Sequence, residues 1–170
     1  MKKVFGILLF AAMMLSAQEA AAQSFKTGHI NRDDVIMAMP DYDTAMKQYN
    51  AFGQELTNAL ELMQVEYNNK LDLYVKESKN YTELVKTNKE QELGDMQNRI
   101  NNFQQQAQVQ LQEKQAALLN PIIERATTAI TQVAKEGGFI YIYDVRTLVY
   151  FDPTKSTDLT PLVKTKLGLK

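Results

Sequence analysis

Cysteine is absent from this 170-residue chain, tryptophan is absent too, and histidine occurs once, as His29. Without cysteine the protein can form no disulfide, has no thiol nucleophile and cannot be a cysteine-anchored lipoprotein. No glycine-rich phosphate-binding loop occurs, and the acidic residues are dispersed at helical positions rather than grouped as metal ligands. We therefore expect no enzyme activity, no catalytic residue, no metal and no cofactor, and we interpret His29 as a structural side chain.

Proline is scarce as well: the chain has 4, and none lies between Pro40 and Pro121. That interval contains only two glycines, Gly53 and Gly94, and is rich in residues that form helices well. Apolar residues recur in it every three or four positions, which is typical of amphipathic helices. The sequence thus predicts a helical section far longer than an ordinary globular helix.

A long apolar run occurs only at the N-terminus. Lys2 and Lys3 precede an apolar stretch over residues 4–15, and three alanines end at Ala22. This order is typical of a secretory signal peptide, and the apolar stretch is shorter than the roughly 20 residues that a membrane-spanning helix needs. We expect export and cleavage near Ala22, so that residues 1–22 are the signal peptide.

Neither sign of charge dominates. Without Lys2, Lys3 and Glu19, the 19 basic and 20 acidic side chains become 17 and 19, a net charge of −2. A mildly acidic chain is not expected to bind nucleic acid or to be strongly attracted to anionic lipid.

The proline-free section has an apolar seam in a heptad pattern. One row consists of Met46, Gly53, Leu60, Tyr67, Tyr74 and Tyr81, and its companion row consists of Tyr42, Tyr49, Leu56 and Met63. A second apolar pattern, over residues 96–133, indicates a returning helix, with the glutamines between positions 104 and 115 forming a neutral, solvated face. Two equal helices would reverse near Asn88, each with roughly 48 residues and a length of about 70 Å. Pro121 is expected to kink or restart the returning helix.

Strand patterns are confined to the two ends of the mature chain. Residues 25–30 can form one strand, and the aromatic and β-branched runs 139–143 and 147–151 predict a β-hairpin beside it. Gly137-Gly138 is typical of a helix C-cap, and Thr160-Pro161 of a last helix N-terminus. The predicted fold class is α+β, mostly α: a β-rich oligomerisation body (residues 23–40 and 121–170) with a long antiparallel helical-hairpin arm (residues 41–120).

The predicted sheet is too small to form a stable hydrophobic core by itself. Its strand segments are apolar on both faces. Self-association would cover those faces. The residues that we expect in the oligomer interface are Phe25, Ile30, Phe139, Tyr141, Tyr143, Leu148 and Tyr150.

Three blocks of the mature chain resemble the Skp/OmpH family of periplasmic chaperones. They are FKTGHINRDDVIMAMPDY near the start, LLNPIIERATTAITQVAKEGGFIYIYD after the arm, and LVYFDP followed by STDLTPLV near the end. The resemblance implies a homotrimer with helical tentacles around a cavity, which holds unfolded outer-membrane β-barrel proteins in the periplasm without ATP. Well-known members are basic, whereas this chain is mildly acidic. The resemblance therefore transfers no lipopolysaccharide site, and contact with a membrane or with lipopolysaccharide stays open.

The client-binding residues that we predict are Met63, Tyr67, Tyr74 and Tyr81, because tyrosine can contact apolar segments while its hydroxyl stays hydrated. The same side chains could instead pack against the returning helix. The alternative function is a structural coiled-coil spacer or adaptor of the cell envelope. A spacer should keep a strong apolar seam to its end, whereas this seam thins after Met63, where Lys70 and Glu77 interrupt the companion row.

Overall fold

Two long helices and a small sheet make up the computed structural model, which describes residues 25–169. The elements are β1 (Thr27–Ile30), α1 (Arg32–Met37), α2 (Pro40–Glu77), α3 (Glu83–Gly137), β2 (Tyr141–Asp144), β3 (Thr157–Asp158) and α4 (Thr160–Lys166). This architecture confirms the predicted α+β, mostly α fold class with a helical-hairpin arm. The predicted signal peptide, residues 1–22, lies outside the described residues.

The hairpin reverses at Ser78–Thr82, so the predicted reversal near Asn88 was wrong. A short 3₁₀ turn, Ser78–Asn80, follows α2, and the Thr82 hydroxyl then accepts a hydrogen bond from the Val85 N–H at 3.4 Å. The assumption of equal helices caused the error: α2 has 38 residues and α3 has 55. The C-terminal part of α3 extends beyond α2 because it also packs against α1 and α4.

Helix α3 continues through Pro121, so of the two predicted outcomes, a kink or a restart of the helix, the restart was wrong. Proline removes one backbone donor from a helix and clashes with the preceding turn. Packing offsets that cost here, because Leu118 on one side and Ile122 on the other contact the same hydrophobic core.

The predicted C-cap is confirmed at the end of α3. Gly138 has φ +66°, the left-handed conformation, and its N–H donates to the carbonyls of Ala134 and Lys135. Glycine adopts this conformation without the steric penalty that a Cβ imposes.

Two glycine-to-alanine substitutions should therefore change stability in opposite directions. Gly138→Ala should lower the free energy of unfolding by about 1 kcal/mol, because of its positive φ. Gly94→Ala should raise it by up to about 1 kcal/mol, since Gly94 lies inside α3 and nothing lies within 4 Å of an added Cβ. Urea unfolding at one fixed protein concentration measures both, and shifts of the same sign would contradict this account of the cap.

The sheet has the order β2-β1-β3, and β1 is parallel to both neighbours. Thr27 pairs with Tyr141 and Ile30 with Asp144, while Gly28 pairs with Thr157. The predicted hairpin of residues 139–143 and 147–151 was wrong: the third strand is β3, and the chain from Leu148 to Asp152 is in no strand.

The chain leaves the sheet after β2 because Asp144 caps a 3₁₀ turn, Val145–Thr147. The Asp144 carboxylate accepts from the Arg146 N–H at 3.2 Å, and the Thr147 hydroxyl donates to the Asp144 carbonyl at 2.8 Å. A two-residue hairpin turn needs positive φ angles, which Asn-Gly or Asp-Gly would supply and Val145-Arg146 does not.

One hydrophobic core joins the sheet to the helices. This core consists of Ile30, Val35, Ile36, Met39, Ala45, Ile122, Ala126, Ala129, Val133, Leu159 and Val163, and we call it the body core. Gly28 lets α4 approach β1 closely, since a Cβ there would lie 2.8 Å from Leu159 Cδ1. The body core fixes α3 to the sheet, from which the remaining length of the hairpin extends.

Candidate functional site

The arm, formed by α2 and the part of α3 antiparallel to it, has a single register that its cross-helix contacts define. Near the body, the Arg125 guanidinium forms an ion pair with Asp41. In the middle, Lys114 Nζ lies 5.6 Å from the centroid of the Phe52 ring. Nearer the tip, Lys70 forms an ion pair with Glu92. This register places the buried Met96 and Ile100 opposite the turn of α2 that carries Met63 and Tyr67.

The four predicted client-binding residues, Met63, Tyr67, Tyr74 and Tyr81, are all half-buried. The Tyr74 hydroxyl donates to Glu90 on α3, and the Tyr81 hydroxyl donates to Glu77 at 2.8 Å. These hydrogen bonds, reinforced by partial burial, raise the pKa of both tyrosines. The two rings also lie 6.4 Å apart. The tyrosines thus help to hold the tip of the hairpin together, and their contact with a client stays a prediction.

A network of charges crosses the arm near its tip, where the apolar seam is thin. Lys70 forms ion pairs with Glu92 on α3 and with Glu66 at 3.6 Å on its own helix, and Lys89 lies 3.1 Å from Glu92. Hydrogen bonds from Lys70 and Lys89 lower the pKa of Glu92, and the bond to Glu92 raises the pKa of Lys70. We call these four residues the tip network.

The tip network should make closure of the arm tip pH-dependent. Because the pKa of Glu92 is lower in the folded state, its stabilisation is present above the unfolded carboxyl pKa of about 4.3 and is lost as the pH falls through the lowered value. The chain has no native cysteine, so Val75→Cys with Leu84→Cys, at two exposed positions, would allow a spin-label distance measurement across the tip. We expect the distance distribution to broaden below about pH 4.

The matched control is Glu92→Gln in the same labelled protein. Its distribution should be broad at neutral pH and should change little on acidification. A distribution at neutral pH identical to that of the unsubstituted labelled protein would contradict a role for the tip network in closing the arm.

An exposed apolar row lies on the outer face of α2, and sequence reasoning missed it. Leu62 is 72% exposed, Val65 is 55% exposed and Leu73 is 50% exposed. At 100° per residue these three side chains share one face of α2, away from the seam that Met63 and Tyr67 mark. Val75, Leu84, Val85 and Val109 are further exposed apolar side chains on the arm. The arm thus offers apolar contacts to a partner without opening its seam.

A second exposed apolar surface lies on the sheet and the segment after it. Of the seven predicted interface residues, Phe25, Tyr141, Tyr143 and Tyr150 are exposed, Phe139 and Leu148 are half-buried, and Ile30 lies in the body core. Val149, which was not predicted, is fully exposed beside Tyr150. Strand β2 is an edge strand of the described sheet, so one side of its backbone has no strand beside it.

His29 lies in β1, the central strand of the sheet, and is half-buried. Its Nδ1 is 3.0 Å from the Ser156 hydroxyl, and its ring centroid is 4.8 Å from that of Phe151. These contacts attach the segment before β3 to the central strand, which is a structural role.

Among residues 25–169, no three His, Asp or Glu side chains are grouped as metal ligands. No helix in the same range combines the length and apolarity needed to cross a membrane.

A three-stranded parallel sheet fused to a long helical hairpin with exposed apolar side chains defines the class of fold to which this chain belongs. The chain belongs to the outer membrane protein (OmpH-like) family, whose family model matches residues 26–167. Proteins of this family are periplasmic and act as chaperones for outer-membrane proteins. No curated protein matches the chain.

Proposed function

We propose that this protein is an ATP-independent holding chaperone that binds unfolded outer-membrane β-barrel proteins in the periplasm and prevents their aggregation. The observation that carries the proposal is the exposed apolar row on the outer face of α2, in a chain of the OmpH-like family. Leu62 and Val65 are adjacent on the helix, and the polar residues Glu66, Asn69 and Asp72 lie between this pair and Leu73, so the row offers small apolar contacts rather than one large patch.

Many small contacts suit a protein that must release its client without an energy source. A fully buried leucine contributes roughly 1.5–3 kcal/mol, and a side chain that stays partly hydrated in the complex contributes less. Several such contacts together hold a client, while each single contact dissociates quickly. The half-buried Tyr67 and Tyr74 would add contacts through the part of each side chain that stays exposed.

The proposed active form is a homotrimer. Its body would comprise residues 23–40 and 121–170, and its arms residues 41–120, after removal of the signal peptide at Ala22. The exposed aromatic side chains Phe25, Tyr141, Tyr143 and Tyr150 support self-association through the body, as does the open edge of β2. Assembly would place three arms around one client and prevent client–client contact.

The test is light scattering of an unfolded outer-membrane β-barrel protein diluted from urea, with and without the mature chain. The holding function predicts that scattering is suppressed without nucleotide, at one client per oligomer measured by complex mass. An oligomer that leaves scattering unchanged would contradict it and would favour the spacer or adaptor function.

Replacing Leu62 and Val65 together by serine should weaken client binding by about tenfold, since two apolar contacts are lost. The matched control replaces Met37 and Leu162 by serine. These two side chains are exposed to a similar degree but lie outside the arm. Fluorescence anisotropy of a labelled client measures the affinity, and mass measurement checks the oligomer. If the two pairs of substitutions weakened client binding equally, the exposed apolar row of α2 would have no specific role.

A further inference from the structure

A cluster of four charged side chains lies where the chain leaves strand β2. The Arg146 guanidinium forms one ion pair with Asp144 at 3.2 Å and a second ion pair with Asp33 of α1. The Arg32 Nε lies 3.6 Å from the same Asp144 carboxylate. We call Arg32, Asp33, Asp144 and Arg146 the charge cluster. Through it, Arg146 joins the end of β2 to α1, whose Val35 lies in the body core.

The burial of Asp144 distinguishes this cluster from an ordinary surface ion pair. Its side chain is 15% exposed, and its carboxylate also accepts a hydrogen bond from the Arg146 N–H at 3.2 Å. Fully hydrated charges gain little from pairing, whereas a partly buried carboxylate with several charged donors is held in one orientation. Without the Arg146 guanidinium, Arg32 would be the only described cation within 4 Å of Asp144.

The chain that follows the charge cluster is held at its other end as well. The His29 Nδ1 lies 3.0 Å from the Ser156 hydroxyl, and the Thr27 hydroxyl donates to the Lys155 carbonyl at 3.3 Å. Both contacts attach the chain to β1, the central strand of the sheet. Residues 148–152, which we call the 148–152 segment, therefore lie between two fixed ends.

The 148–152 segment has few contacts of its own between these ends. Among residues 25–169, no backbone–backbone hydrogen bond joins Val149, Tyr150 or Phe151 to another residue. Val149 is fully exposed, and Tyr150 is 83% exposed. A segment with so few internal contacts keeps one conformation only while its ends are held. Its order therefore depends on the charge cluster at one end and on β1 at the other.

The exposed side chains of the 148–152 segment continue those of β2. Tyr150 and Tyr143 line one cavity of about 290 Å³, and the Tyr143 ring lies 6.1 Å from that of Tyr141. Two incomplete surfaces of the described chain thus lie side by side: the unpaired backbone of residues 149–151 and the open edge of β2. Each contact in a cyclic trimer joins two different surfaces of identical copies. A second copy of the chain is the occupant that can complete both.

We propose that the charge cluster positions the 148–152 segment for binding to a second copy of the chain, so that assembly depends on the ion pairs of Arg146. The inference rests on the homotrimer proposed above and names the residues that prepare its surface. A segment that is already ordered in the single chain loses less conformational freedom on association. Arg146 is a positioning residue, since it acts through the segment. Because salt screens exposed charges, assembly weakens as the ionic strength rises.

Sedimentation of the mature chain over a range of protein concentrations measures the dissociation constant of the oligomer. Arg146→Met removes both ion pairs but keeps a long side chain, and it should raise this constant about tenfold. Arg146→Lys keeps the charge without the planar fork of donors and should raise it about threefold. Asp33→Asn should raise it in the unsubstituted protein but little in the Arg146→Met protein, because the same ion pair is already lost there.

The matched control is Arg125→Met. Arg125 also forms an exposed ion pair, with Asp41, but at the root of the arm. Its loss should change the dissociation constant by less than about twofold. Between roughly 0.05 and 0.5 M salt, the constant of the unsubstituted protein should rise more than that of the Arg146→Met protein. Circular dichroism should show the same helix content in every variant, since neither arginine belongs to the body core.

Equal dissociation constants for the unsubstituted and the Arg146→Met proteins would overturn the proposal, and so would equal increases for Arg146→Met and Arg125→Met. Weaker binding of an unfolded client at an unchanged dissociation constant would assign the 148–152 segment to the client and overturn it too. In these three results the unsubstituted chain still assembles, so the homotrimer stands. If the unsubstituted chain is monomeric at every concentration, the homotrimer fails, and the role of the charge cluster fails with it.

Discussion

Replacing Tyr150 by aspartate should dissociate the oligomer into monomers. Tyr150 is 83% exposed in the single chain and lies beside the fully exposed Val149, which makes it a candidate for the centre of the proposed interface. Buried aromatic side chains often contribute 2 kcal/mol or more to an interface, and a carboxylate buried there would have no counter-charge. We therefore expect the dissociation constant to rise by at least about 30-fold.

Size-exclusion chromatography with light scattering, at one protein concentration, measures this change directly. Leu84→Asp is the matched control, since Leu84 is 72% exposed at the arm tip, away from the sheet. Circular dichroism should be unchanged, because Tyr150 does not belong to the body core. If the Tyr150→Asp protein kept the mass of the oligomer, Tyr150 would not belong to the interface.

Replacing Leu159 by alanine should lower the free energy of unfolding by about 2–5 kcal/mol. Leu159 is 0% exposed and fills the space over Gly28, between β1 and α4. Its N–H also donates to the His29 carbonyl at 2.9 Å, which attaches the start of α4 to the sheet. The shortened side chain leaves a cavity that the surrounding backbone cannot fill without moving.

Leu162→Ala, inside α4 and three residues beyond Leu159, is the control with the same loss of atoms. Leu162 is 53% exposed, so the change in stability should stay within about 0.5 kcal/mol. Urea unfolding must be compared at one protein concentration, because assembly adds to apparent stability. If Leu159→Ala and Leu162→Ala lowered the free energy of unfolding equally, the burial of Leu159 would not be the cause of the loss.

The arm could be predicted from the sequence because its periodicity extends over many turns. Heptad rows through Tyr67 and Tyr74 indicated the face of α2 that packs on α3, and the cap at Gly138 lies where expected. The position of the turn between α2 and α3 was not predicted correctly because its sequence signal is weak. Thr82 followed by Glu83 in the first turn of α3 was the available indication.

The sheet was predicted less well because its pairing depends on distant parts of the chain. Strands β1 and β2 are parallel neighbours although the whole arm separates them, and no local pattern encodes that pairing. A run such as Leu148–Phe151 has strand composition but pairs with no strand in the single chain. Composition predicts the capacity to form a strand, while the partner decides whether one forms.

The candidate binding surface was predicted only in part for a related reason. The sequence favoured tyrosines of the seam, which the structure shows half-buried and hydrogen-bonded to glutamates. Leu62 and Val65 lie outside the heptad rows and have no periodic signal of their own. Their exposure became visible only when the register of α2 against α3 was known.

Because α3 is one continuous helix from Glu83 to Gly137, the arm is mounted like a cantilever beam. Its root is held where Ala126 and Ala129 pack in the body core, and the other end of α3, at Glu83, lies about 65 Å away at 1.5 Å per residue. A client pushing outward on the tip would apply a bending moment that is largest at that root. In the proposed trimer, the resistance of the arms to bending would then depend on the small side chains of the body core rather than on the residues that touch the client.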